Sequence, residues 1–244
     1  MPKHLASLGV GSGAFSPASI SGLVAWYAAR LETGLNDGDA VATFTDQSGN
    51  GRNATQSTGT KKPLFKTNII NDKPALLFDN SDDCMQTAAI DLSGTNGITL
   101  YAVVSGITAG ALAMIAETSA TAATNSGAFN LFRQADNTVA ASARGGSSSN
   151  FLTTATVTST ATVISTVYDL SLATNEVTVW LNGTSAGTRG SNNNQTVNFG
   201  NYALNIGSRN NGASLPLNGY VAELLIYNTA HNSTQRGLIE AYLS

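Results

Sequence analysis

Cysteine occurs once in the 244-residue chain, as Cys84, which excludes an intramolecular disulfide and any metal centre built on several thiolates. Charge is also scarce. Asp, Glu, Lys and Arg make up 11% of the residues, the net charge is -3, and the 12 basic residues are scattered. No basic stripe marks a nucleic-acid partner or an anionic membrane surface. The only histidines are His4 and His231, one near the start and one near the end, a poor basis for a Ser-His-Asp arrangement. No apolar run reaches the roughly 18 residues of a membrane-spanning helix, and none of signal-peptide length precedes Ser21. The sequence therefore predicts synthesis in the cytoplasm without a signal peptide and no membrane insertion. Self-similarity at a period of about 20–50 residues is absent too, against propellers and solenoids.

What fills the chain instead is neutral polarity. Ser, Thr and Asn account for 78 of 244 residues and hydrophobic residues for 42%, enough apolar material for a sizeable core under a hydroxyl- and amide-rich surface. Short apolar or alternating runs recur between turn clusters: "GLVAWYAA" from Gly22, "PALLFDN" from Pro74, "ITLYAVV" from Ile98, "LAMIAE" from Leu112, then "AFNLFRQ", "TVAASAR", "ATVISTVYD", "EVTVWLNG", "ALNIGSR" and "YVAELLIYN". This density of strand-length runs, with almost no helical periodicity between them, predicts an all-β antiparallel two-sheet sandwich. One helix is expected, in "HNSTQRGLIEAYLS". Asn232 or Ser233 would cap it, and Leu238, Ile239, Tyr242 and Leu243 would form its apolar face. Residues 1–20 are rich in Gly, Ser and Ala and read as an arm before a domain spanning 21–244, with Leu5, Leu8, Val10 and Phe15 as anchors.

The stretch "DQSGNGRNA" from Asp46 raises the question of a phosphate cradle. It lacks the lysine and the following apolar helix of such a loop, whereas Gly49 and Gly51 around Asn50 supply the positive-φ positions of a tight turn. A structural turn fastened by Asp46 or Asn50 is expected.

Taken in order, "GLVAWYAA", "DQSGNGRNA", "KPALLFDNSDD" from Lys73, "VTVWLNG" from Val177 and "NGYVAELLIYNTAHNSTQRGLIEAYL" from Asn218 resemble the concanavalin A-like lectin/glucanase superfamily, in its laminin-G-like jelly-roll branch. The resemblance spans 21–244. It implies two packed antiparallel sheets with a glycan or protein ligand on the concave sheet or the rim loops. It also implies, for members that are glycosidases, two or three carboxylates on alternate residues of one strand, because acid and nucleophile must flank one bond. This chain has no such run: Glu223 in "VAELLIY" stands alone, and a hydrogen-bonding structural role is expected for it. Some relatives bind calcium on a rim loop. Here Asp79, Asp82 and Asp83 are the candidate ligands, although their spacing is irregular for a calcium loop. Trp180, Tyr202 and Tyr220 are the candidate aromatics for a sugar face. Trp26 is expected in the core, and Trp180 outside or under a second layer, since it alternates with Val177 and Val179.

The expected function is non-enzymatic. A bacteriophage virion surface protein, either a capsid decoration protein or a tail-associated adhesin, would combine a lectin-like jelly roll with an N-terminal arm and no export signal. It would attach to virion proteins through the arm, assemble as a homo-oligomer and contact cell-surface glycans. A free carbohydrate-binding lectin and, more weakly, a glycoside hydrolase are the alternatives.

Overall fold

In the computed structural model, residues 15–108, 110–145, 149–156, 160–188 and 197–244 are described. Among them sixteen strands form two antiparallel sheets, followed by one α-helix. The strands are β1 (Leu23–Ala28), β2 (Thr43–Phe44), β3 (Ala54–Thr55), β4 (Leu64–Ile70), β5 (Lys73–Asp79), β6 (Met85–Asp91), β7 (Gly97–Ser105) and β8 (Ala113–Thr118). They continue with β9 (Phe129–Arg133), β10 (Thr138–Arg144), β11 (Ser149–Thr156), β12 (Thr162–Asp169), β13 (Val177–Leu181), β14 (Thr184–Thr188), β15 (Asn201–Ile206) and β16 (Asn218–Tyr227), and the chain closes with α1 (Ser233–Leu243). The back sheet runs β14-β13-β12-β7-β16-β5-β4 with β1 also on β16; the front sheet runs β11-β10-β9-β8-β15-β6-β3-β2. The expected sandwich is what forms.

Two apolar layers hold it. The first lies between the sheets, where Leu100, Ala102, Val104, Leu224 and Ile226 of the back sheet meet Ile115, Phe129, Leu131, Ala141 and Leu204 of the front sheet. The second lies behind the back sheet. There Trp26, Tyr101, Val103, Leu225 and Tyr227 pack against Ile239 and Leu243 of α1 and Ile20. This explains why "ITLYAVV" reads as an unbroken apolar run rather than an alternation: β7 is buried on both faces.

The helix itself is set by a capping box, in which the Asn232 side chain accepts from the Gln235 N–H and Gln235 accepts from the Asn232 N–H. Its buried stripe is narrower than the sequence suggests. Ile239 and Leu243, four apart, face the sheet, while Leu238 is 47% exposed, because one step along a helix turns the side chain by about 100°. The domain also begins earlier than position 21. Pro17 and Ile20 are buried, the Tyr227 hydroxyl donates to Pro17 O at 2.9 Å, and the Phe15 ring meets Tyr242 edge-on at 6.0 Å. Of the expected anchors, Leu5, Leu8 and Val10 lie outside the described residues.

The "DQSGNGRNA" loop is a turn, as expected. The Asp46 carboxylate accepts from the N–H groups of Trp26, Ser48 and Arg52 at 3.0, 2.9 and 2.8 Å, and Asn50 Nδ2 donates to Leu23 O and Val24 O. Gly49 and Gly51 have φ of 85° and 70°. The loop thus clamps β1 to the turn.

Candidate functional site

On an antiparallel sheet with one open face, side chains alternate between core and solvent. The back sheet has no such face where α1 and residues 15–20 cover it, so the open face is that of the front sheet. There the strand register aligns one polar side chain from each of seven neighbouring strands. Thr43 pairs with Thr55, Thr55 with Gln86, Gln86 with Asn205, Asn205 with Glu117, Glu117 with Asn130, and Asn130 with Ser142. Their strand neighbours Phe44, Ala54, Met85, Leu204, Leu131 and Ala141 point into the core, which fixes the row on the outer surface.

The middle of this row is sunk. Glu117 is 0%, Asn205 1%, Asn130 3% and Ser142 6% exposed, because the loops after β8 and β15 fold over it. Arg209 donates to both Glu117 carboxylate oxygens, Nε to Oε2 at 2.8 Å and Nη2 to Oε1 at 2.9 Å, and Ala122 N–H adds a third bond at 2.8 Å. Gln86 Nε2 donates to Asn205 Oδ1 at 2.8 Å, Asn205 Nδ2 to Ser119 O at 3.0 Å, and Ser142 Oγ to Asn130 Oδ1 at 2.6 Å. Buried polar groups held in this way make a rigid floor.

A recess opens at each end of the row. One, of ≈ 410 Å³, is lined by neutral hydroxyl and amide side chains, among them Thr43, Thr55, Gln56, Gln86 and Asn211. The other, of ≈ 230 Å³, brings Asn130, Ser142 and Arg209 beside an apolar floor of Met114, Phe132 and Leu215. Such a surface, with planar and apolar patches edged by fixed donors and acceptors, suits a polyhydroxylated ligand that has apolar C–H faces.

The aromatics singled out in the sequence are not brought together. Trp180, on the outer side of the back sheet, lies under the guanidinium of Arg236, 3.9 Å from its ring centroid, and so serves as a seat for α1. Tyr220, also on the back sheet, is half-buried against Gly106. Tyr202 sits at the start of β15 with its hydroxyl donating to Ser126 O at 2.8 Å. None of the three lines either recess of the front sheet. Glu223 is held by Trp26 Nε1 at 2.8 Å, Tyr242 Oη at 2.9 Å and Arg30 Nε at 3.2 Å. Burial pushes its carboxyl up and Arg30 opposes the shift. Its role is to fasten α1 to β16 and β1.

In the acidic turn, one oxygen each of Asp79 and Asp83 is taken by the backbone. Asp83 accepts from Asp79 N–H at 3.0 Å and Asp79 from Ser81 N–H at 2.9 Å. Burial, with Asp79 next in importance, pushes the Asp83 carboxyl up to about 6. Among the described residues no three His, Cys, Asp or Glu side chains converge in the manner of a metal site. Calcium in excess is accordingly expected to raise the melting temperature by less than about 2 °C, under ~1 kcal/mol for a chain of this size. A larger rise, lost in Asp82→Ala with Asp83→Ala, would assign a calcium site to this turn.

The residues of the row were not singled out in the sequence, apart from lying in predicted strands. Their signal is faint but physical: Asn130, Ser142 and Asn205 are polar positions at the centres of otherwise apolar runs. No helix among the described residues is long and apolar enough to cross a membrane.

Comparison with solved structures gives the same architecture. The binding domain of Paraclostridial Mosquitocidal Protein 1 superposes with a TM-score of 0.66 at 12% identity, over 93% of this chain and 53% of that one. The ligand binding domain of Botulinum neurotoxin serotype D, in complex with N-acetylneuraminic acid, gives 0.65 at 10% identity over 93% and 52%. A Trypanosoma rangeli sialidase in complex with sialic acid gives 0.62 at 11% identity over 97% and 35%. The chain thus spans between a third and about half of those proteins, and identities this low speak to the fold alone. No curated protein sequence matches. The family model described as concanavalin A-like lectin/glucanases superfamily matches residues 79–235, and with the jelly-roll sandwich above it the chain belongs to that superfamily.

Proposed function

We propose that the protein is a non-enzymatic glycan-binding domain whose site is the polar row of the front sheet and its two recesses. The observation that carries this reading is the in-register alignment of Thr43, Thr55, Gln86, Asn205, Glu117, Asn130 and Ser142 across the one open sheet face. Several of these are buried and pre-ordered, which lowers the ordering cost of binding. The sialic-acid complexes of structurally similar domains lend support by analogy of fold. Against catalysis stands the engagement of the carboxylates: Glu117 is closed by Arg209 and Ala122, and Glu223 lies under α1 with no carboxylate partner on its strand. Acid and nucleophile roles each require a carboxyl group free to reach the scissile bond.

An immobilised glycan panel tests the reading. The protein is expected to retain a subset of glycans without releasing reducing ends. Leu215→Trp at one recess and Thr55→Trp at the other are expected to weaken retention at least about tenfold while leaving circular dichroism unchanged. Retention of nothing, or turnover lost in Glu223→Gln, would sink it.

The finer reading is a virion adhesin mounted through its N-terminal segment. Its support is geometric. Phe15–Ile20 pack on the α1 side, behind the back sheet, so a domain held from that end presents the row outward. Particles lacking the protein should take up the full chain but not a chain beginning at Phe15; equal uptake of both would remove the arm from the mechanism.

A further inference from the structure

We propose that the apolar recess of the front sheet takes a carboxylate-bearing sugar, so that the ligand is an acidic glycan bound by its charged ring at the Asn130–Arg209 end of the row. This rests on the glycan-binding reading above and goes beyond it in naming the ligand class and the donors.

The first argument is the balance of donors and acceptors. In the recess Asn130 Oδ1 is occupied by Ser142 Oγ, and both Glu117 oxygens are occupied by Arg209 and Ala122. Two donors remain. Asn130 Nδ2 makes no hydrogen bond among the described residues, although the side chain is 97% buried on the floor of the recess. Arg209 uses Nε and Nη2 on Glu117, and its Nη1 has no partner among the described residues. An ionised carboxylate is an acceptor only, and a planar group that meets a guanidinium N–H and an amide N–H together is the complement of this pair.

The second argument is charge. Arg209 lines the recess, and Arg144 Nη1 donates to Ala123 O on its wall at 2.7 Å. Glu117, the acidic side chain beside Arg209, is spent on it, and no carboxylate lines the recess among the described residues. A partly desolvated recess strengthens the field of the guanidinium on an anion.

The third argument is size and shape. At ≈ 230 Å³ the recess is below the ~300–1,000 Å³ of pockets that hold drug-sized ligands. It accepts one ring. Met114, Phe132 and Leu215 would meet the C–H face of that ring, while the rest of the glycan runs along the row towards Gln86 and Thr55.

Isothermal titration with matched pairs tests this: a glucuronate-terminated oligosaccharide against its glucose-terminated counterpart, and 3′-sialyllactose against lactose. At least one acidic member is expected to bind about tenfold or more tighter than its neutral partner, the scale of a charge-assisted hydrogen bond. That preference should shrink as sodium chloride rises from low to high concentration. Asn130→Asp, equal in size and still able to accept from Ser142, should abolish the preference by turning a donor into a like charge, and Leu215→Trp should exclude the ring. Equal affinity for both members, or preference for the neutral one, overturns the acidic assignment and leaves the glycan reading standing. No binding of any member, with the fold intact, overturns both. An acid preference unmoved by salt and by either variant overturns the proposed location, and a preference for sulfated over carboxylated sugars overturns the class.

Discussion

Glu117→Ala is expected to lower the stability by about 3–5 kcal/mol, the range for breaking one half of a buried ion pair. Glu117 is fully buried with three hydrogen bonds, and Arg209 beside it is 21% exposed at its side chain. Removing the carboxylate leaves a guanidinium and the Ala122 N–H without their acceptor in a site that water reaches poorly. A shift of the urea midpoint with an unchanged denaturant slope would show the loss. The double variant Glu117→Leu with Arg209→Met should recover most of the stability, because two apolar side chains replace the pair without stranding either charge. It should not recover glycan binding. Recovery of both would mean that the pair is scaffolding alone.

The second large effect concerns pH. His231 is 5% exposed, accepts or donates at Nδ1 with the Tyr101 hydroxyl at 2.8 Å, and lies 4.3 Å from the Tyr227 ring centroid. Burial pushes its pKa down to about 4. The unfolded chain therefore takes up this proton near the ordinary 6.5, before the folded protein does. The contribution of His231 is full above pH 6.5, is lost as pH falls towards 4, and amounts to about 3 kcal/mol. Asp83 acts with the opposite sign. Its folded pKa near 6 lies above the ordinary carboxylate value, so the folded state gains as pH falls from about 6. The wild-type profile should consequently be shallow. His231→Gln, which keeps a partner for Tyr101, isolates the histidine: the variant should gain on the wild type by about 3 kcal/mol between pH 7 and pH 4. Parallel profiles would show that His231 titrates in the folded state as it does in the unfolded one.

The sandwich, the helix and the Asp46 turn were legible because each is written locally. Short apolar runs between Gly and Asn clusters mark strands, and Asn232 with Gln235 marks a helix start. The strands β4 and β6 were not, since "LFKTNII" and "MQTAAID" carry too few apolar residues for their alternation to stand out. The site was less legible for a different reason. Asn130, Ser142, Glu117 and Asn205 come from strands up to 88 residues apart, and only the pairing register places them side by side. A sequence read segment by segment holds no record of register between distant strands. Trp180, Tyr202 and Tyr220 drew attention as flat rings, yet a ring serves equally well as a seat for a helix, and Arg236 on Trp180 is that case.

The position of β1 has a consequence for the order of events during synthesis. Its partner is β16, and Trp26 Nε1 meets Glu223 across 197 residues of sequence. At common elongation rates, β1 is in being for roughly 10–40 s before β16 exists. Throughout that interval Trp26 lacks the strand and helix it packs against, whereas Tyr27 already has the Phe44 ring beside it. Long-range pairing of this kind makes for slow folding, and the newly made chain should depend on a holding chaperone until its final thirty or so residues emerge.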